Sequence, residues 1–195
     1  MKVIINFLNY MIIKTRIKNL VAIALTFLLF SFTRSAQWDG DKVFKTVSDT
    51  KNYTTLELAS MDKNLSTFVN LVRLSGLAPS MLLTDEHTLF IPTNDAFRDI
   101  SIARFSELTD PKNKSQLITF IQYHFMPNKH MQSAFKNSQV ITSPSPDEIS
   151  VSKDSYDNVF IGGAKIIRSN IEASNGVIHI VNDVIVPNRS IFFVD

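Results

Sequence analysis

Asn175-Gly-Val-Ile-His-Ile-Val-Asn-Asp-Val-Ile-Val-Pro187 packs seven β-branched residues between a turn dipeptide and a proline. It reads as a buried strand pair. Asn175-Gly176 suits a tight turn because both residues tolerate φ > 0, and residues 177–181 are apolar on both alternating faces apart from His179. A strand of that kind belongs inside a sheet. Its imidazole then needs a hydrogen-bond partner, since a buried unpaired polar group costs roughly 1–3 kcal/mol.

Upstream as far as Pro127 the chain keeps a β character. Residues 131–135, 139–142, 148–152, 159–161, 165–171 and 177–186 read as short strands separated by Pro, Gly, Asn, Asp and Ser clusters. Gly162-Gly163 predicts a hairpin turn, and 143–147, with two prolines, predicts an exposed loop open to proteolysis. Before Pro127 the spacing is helical instead. Thr55 can cap a short helix through Ala59; a second starts near Asn64 with Leu65, Phe68, Val69 and Val72 on one face, Gly76 at its C-terminal end and Pro79 blocking continuation. One strand, 87–91, interrupts the helices and stops at Pro92. Thr93 or Asn94 then caps a short helix carrying Ala96, Phe97 and Ile100. A further helical turn covers 102–108, and a longer helix runs from about 113 or 115 to 125, with Tyr123 and His124 in its last turn. Helices first and strands later argue for an α+β fold rather than a parallel βαβ one.

With 195 residues and 45% hydrophobic content, the chain can bury one good core. Residues 1–36 hold Lys2, Lys14, Arg16, Lys18 and Arg34 and no acid, which leaves 15 basic against 18 acidic residues in the remainder, a net −3. The formal +2 therefore belongs to the leader, and without a basic run nothing predicts nucleic-acid binding. That leader has the anatomy of a secretory signal: a basic region, the apolar run 20–32, then small residues at Ser35 and Ala36 where cleavage is expected. Membrane contact is expected only through this segment if it stays uncleaved. The absence of cysteine excludes disulfides, thiolate catalysis and thiolate metal sites. Residues 37–53 form an N-terminal extension, in which Val43, Phe44 and Val47 suit a short amphipathic helix.

The segment Thr88-Leu-Phe-Ile-Pro-Thr-Asn-Asp-Ala-Phe97 resembles the first signature of the fasciclin domain, and 175–187 resembles its second, with Tyr123-His124 between them where that family has a tyrosine-histidine pair. The resemblance implies a fasciclin-like domain over 54–190, followed by a tail at 191–195. It implies a wedge of two β-sheets with helices packed over one side, in a secreted, periplasmic or cell-envelope protein. The implied role is an adhesion or binding module that recognises a cell-surface or matrix protein or polysaccharide by noncovalent contact. No cofactor is expected.

Thr93, Asn94, Phe97, Tyr123, His124, Asn175, Gly176, His179, Asp183 and Pro187 are the motif residues, expected to be mainly structural. For His179 the expectation is a core histidine, and the resemblance implies a partner near Tyr123-His124 that would pin the last helix to the sheet. Asp183 sits four residues along, ~13 Å on a strand, so a turn at Asn182-Asp183 explains it better than acid–base pairing. No nucleophile elbow or phosphate loop is present, so enzyme chemistry is not expected. The four histidines, His87, His124, His130 and His179, have no zinc-ligand spacing. A second reading comes from Phe120, Phe125, Met126, Met131 and Phe135, which gather with Tyr123 where the last helix meets the sheet and could line a groove for a hydrophobic molecule; the resemblance implies a carotenoid- or lipid-like one, since some fasciclin-like proteins bind carotenoids.

Overall fold

The computed structural model describes residues 44, 47, 49–145 and 147–186, all within the unit Gly40–Asp195. The expected signal segment, most of the extension, Pro187 and the tail lie outside the described residues. The strands are β1 His87–Pro92, β2 Phe125–Pro127, β3 Gln139–Thr142, β4 Glu148–Lys153, β5 Val159–Ile161, β6 Ala164–Ala173 and β7 Gly176–Val181. They form the order β2-β1-β7-β6-β5-β4-β3, with β1 and β7 parallel and the other neighbours antiparallel. With the five α-helices found among the described residues between 50 and 186, this is the α+β arrangement expected. The two sheets are continuous through β6, which pairs with β5 at Ala164 and Lys165 and with β7 from Ile166 onward, with register shifts between Ile166 and Ile171.

β7 is central, and all six of its residues are buried. Covered on both faces, it is apolar on both, with His179 as the exception, instead of alternating. It is one strand, however, and not the expected strand pair: after Val181 the chain bends at Asn182-Asp183, and residues 184–186 carry no strand pairing. The Asn-Gly reading also needs correction. The tight turn between β6 and β7 uses Ser174 and Asn175, neither with positive φ. Gly176 is needed for close approach instead, because a Cβ there would stand 2.2 Å from the His87 carbonyl oxygen. At Gly162-Gly163 the expectation and the structure agree, with φ of 53° and 88° in a two-residue loop closing Ile161 against Ala164.

Among residues 50–186 the α-helices are α1 Thr55–Met61, α2 Ser66–Ser75, α3 Ala78–Leu83, α4 Ile102–Thr109 and α5 Lys114–Tyr123. Thr54, not Thr55, caps α1, through a capping box in which the Glu57 carboxylate accepts from Thr54 N (2.8 Å) and Thr54 Oγ1 accepts from Glu57 N (3.3 Å). α2 buries Phe68, Val69, Leu71 and Val72 and ends at Gly76 in the left-handed region. Pro79 does not end helical structure here; it sits in the first turn of α3, where its missing N–H is harmless.

Two further expectations change near the last helix. α5 stops at Tyr123, and Phe125 leaves it to pair with Leu89 as edge strand β2, while His124 O accepts from Phe90 N at 2.8 Å. The competition is won by the unpaired edge of β1. Residues 131–135 are no strand but a 3₁₀ turn, Gln132–Ala134, that delivers Phe135 into the core.

β1 and β7 run in register, so Phe90 and His179 stand side by side facing a core of Tyr123, Phe135, Ile141, Ile149 and Ile161. By strand alternation His87, Leu89 and Ile91 face the opposite side, where Thr55 of α1 meets His87. Helices cover that side.

Candidate functional site

Three histidines are fully buried, and each is held by one donated and one accepted hydrogen bond. His124, at the C-terminal end of α5, donates from Nδ1 to the Phe120 carbonyl (2.9 Å) and accepts at Nε2 from Ile185 N (3.1 Å). His179 donates from Nε2 to the His130 carbonyl (2.8 Å) and accepts at Nδ1 from Asn170 N (3.3 Å). His87 donates from Nδ1 to the Thr84 carbonyl (3.3 Å) and accepts at Nε2 from the Thr55 hydroxyl (2.7 Å). A ring with one donor and one acceptor in use is neutral. Burial accordingly holds His124 and His179 down to about 4 against the opposing effect of their carbonyl partners, and it also lowers His87.

The expected partner of His179 is thus elsewhere. It is the backbone at His130 and Asn170, not Tyr123-His124, because His179 faces the core beside Phe90 (5.6 Å) and Phe135 (5.8 Å). The fastening of the last helix falls to His124, which ties α5 to the chain after β7 while its ring lies against Phe68 and Phe120.

Tyr123 is buried, and its hydroxyl donates to the Asp147 carboxylate at 2.6 Å. Burial and then Asp147 push the phenol up to about 12. Asp147 also accepts from Ser145 Oγ (3.2 Å), and Ser145 is buried. The loop expected to be exposed at 143–147 is therefore anchored at its middle.

Thr93 and Asn94 do not cap their own turn through their side chains. Thr93 precedes the 3₁₀ turn Asn94–Phe97 without a side-chain cap bond. Asn94 reaches across to α2: Oδ1 accepts from Thr67 N (2.9 Å), and Nδ2 donates to Lys63 O (2.9 Å) and Ser66 Oγ (3.2 Å). It supplies the cap that Leu65, at the N-cap position of α2, lacks. Phe97 packs on Phe105 and Phe120. Asn175 accepts from Thr55 N (2.9 Å) and donates to Met81 O (3.2 Å), joining α1 and α3 to the β6–β7 turn. The Asp183 carboxylate accepts from Val184 N (2.7 Å), and burial, then nearby Asp99, raises its pKa. Catalytic geometry does not emerge from these contacts. No group of three His, Cys, Asp or Glu residues among those described is placed to hold a metal.

The five residues expected to line a hydrophobic groove differ in their burial. Phe120 and Phe135 are core residues, whereas Phe125, Met126 and Met131 are half-buried. Phe125 lines a cleft of about 150 Å³ between α3, the end of α5 and the 143–147 loop, and the other four are not among the residues that line it. Leu77, Met81 and Ile121 supply its other apolar walls, Ser80, Thr84 and Gln122 add polar atoms, and Pro144 closes one side. Reading Pro79 as a stop concealed α3; the 77, 80, 81, 84 spacing was the signal available.

A model of the Fasciclin domain matches residues 63–187. Protein sll1483 of Synechocystis is 31% identical over 134 residues, covering 69% of this chain and 73% of that protein. Human periostin is 30% identical over 133 residues, covering 67% of this chain but only 16% of periostin. Among solved structures, a FAS1 domain pair from the insect cell adhesion molecule Fasciclin I aligns with a TM-score of 0.53 at 14% identity, over 71% of this chain and 52% of that one.

Proposed function

Since the chain belongs to the fasciclin domain family, we propose that it is an exported binding module that recognises a cell-surface or extracellular-matrix partner, protein or polysaccharide, by noncovalent surface contact. One observation carries this reading: the polar groups of the family motif are spent inside the fold. His124, His179, Asn94, Asn175 and Tyr123 all have internal partners, so they hold helices, sheet and loop together and leave recognition to the exposed surface. The likeness to a domain pair from a cell adhesion molecule supports the same class of function. Among the described residues no helix is long and apolar enough to cross a membrane.

A carrier of a carotenoid- or lipid-like molecule has less support. The 150 Å³ cleft is well below the ~300–1,000 Å³ of ordinary small-molecule pockets. The test is to immobilise the exported protein and pass its own cell-surface fraction over it, with cell aggregation scored after gene deletion. Retention of a defined surface component, and loss of aggregation, is the expected result. A protein that retains nothing but co-purifies with a pigment or lipid from its native source would overturn the reading.

A further inference from the structure

The cleft between α3 and α5 carries opposite charges at its two ends. Leu77, Ser80, Met81 and Thr84 present one face of α3 to it. At the Leu77 end stands Lys114, whose Nζ lies 3.4 Å from where a Cβ on Gly76 would be. At the other end, Thr84 is followed by exposed Asp85 and Glu86. None of these three charges has an ion-pair partner among the described residues.

The walls are fixed before anything binds. Asn175 holds the Met81 carbonyl, and the Tyr123–Asp147–Ser145 contacts hold the loop that carries Pro144. A site already in place spares a ligand the cost of ordering it. Its volume of about 150 Å³ suits one large side chain and not a whole lipid.

Resting on the binding-module reading, we propose that this cleft docks an extended segment of a partner protein, in which one large apolar side chain is flanked by an acidic residue toward Lys114 and a basic residue toward Asp85 and Glu86. The spacing follows from the helix. The seven steps from Leu77 to Thr84 rise ~10 Å at ~1.5 Å each, which an extended peptide covers in about three steps of ~3.3 Å, from the first to the fourth of four residues. The motif is therefore acidic, apolar, any, basic, and one such contact is weak and gains from display of many copies on a surface.

The probe is the peptide acetyl-Gly-Glu-Phe-Ser-Lys-Gly-amide, titrated into the ¹⁵N-labelled exported protein and followed by NMR. Shifts at the amides of Ser80, Thr84 and Gln122 are expected, with affinity falling about 10-fold or more when Phe in the peptide becomes Ala. Replacing Asp85 and Glu86 together by Lys should weaken this peptide about threefold and improve a Glu-Phe-Ser-Glu version. Ser80→Trp, at an exposed position, should abolish the shifts without altering the melting temperature. Shifts elsewhere, equal binding of the Ala peptide, or no response to charge reversal would overturn the proposal. So would tighter binding of free oleate at the same amides. If wild type and Ser80→Trp retain the same surface component equally, docking in the cleft fails and the binding-module reading stands. If neither retains any, both fail.

Discussion

Lowering the pH from 7 to 4.5 should remove several kcal/mol of stability through the buried imidazoles alone. His124 and His179 are held at about 4 from an ordinary 6.5. Between these values the unfolded chain takes up protons that the folded chain refuses, so stability falls as pH falls and levels off once the folded rings also titrate. A depression of that size corresponds to about 3 kcal/mol for each ring. Together they approach the roughly 5–15 kcal/mol that holds an ordinary domain folded. His87, lowered in the same direction, adds to the slope. The window lies above most carboxylate titration: Glu57, Asp154 and Glu172, lowered by their hydrogen bonds, lose their contribution only nearer the bottom of it, while Asp183, raised by burial, works in the opposite sense. Urea unfolding at pH 7, 6, 5 and 4.5 should show the midpoint falling by about 2 M in all, taking a slope of ~2 kcal/mol per molar. His124→Gln keeps a neutral hydrogen-bonding side chain and should remove a third to a half of that pH slope, whatever its effect on stability at pH 7. A flat midpoint from pH 6.5 to 4.5, or an undiminished slope in His124→Gln, would refute the reasoning.

Gly176→Ala should prevent stable folding or lower the melting temperature by more than 10 °C, since its Cβ would meet the His87 carbonyl between two paired central strands. A melting curve within 2 °C of wild type would count against the close approach. Asn94→Ala should cost about 1–2 kcal/mol in urea titration through loss of the α2 cap, and Asn94→Asp, which keeps the acceptor for Thr67 N, should recover part of it. Tyr123→Phe removes only the hydroxyl bonded to Asp147 and should cost about 1–2 kcal/mol. It should also speed limited proteolysis within 143–147, whereas unchanged cleavage would show that the loop is held by something else.

The elements that announced themselves in the sequence are those whose signal is local. Strand β7 followed from an apolar run too dense to be anything but interior, the 162–163 hairpin from two glycines between short β segments, and α2 from its i, i+3, i+4, i+7 stripe and terminal glycine. The errors have equally physical sources. β2 took Phe125 from a good helical pattern because the edge of β1 offered backbone partners, which no window around 113–125 can show. α3 was hidden because proline in a first turn and proline after a last turn look alike until the fold decides which turn it is in.

The motif shows the same division most clearly. From 175–187 alone came the buried strand, the need for a partner at His179 and the family to which the chain belongs. Which atoms satisfy His179, and that His124 rather than His179 ties the last helix to the chain beyond β7, depended on contacts 49 and 61 residues apart in sequence. So did the acid-sensitive chemistry and the charged cleft, because burial and long-range pairing are properties of the packed chain. Local periodicity can specify which residues go inside, but only the tertiary structure determines what they meet there.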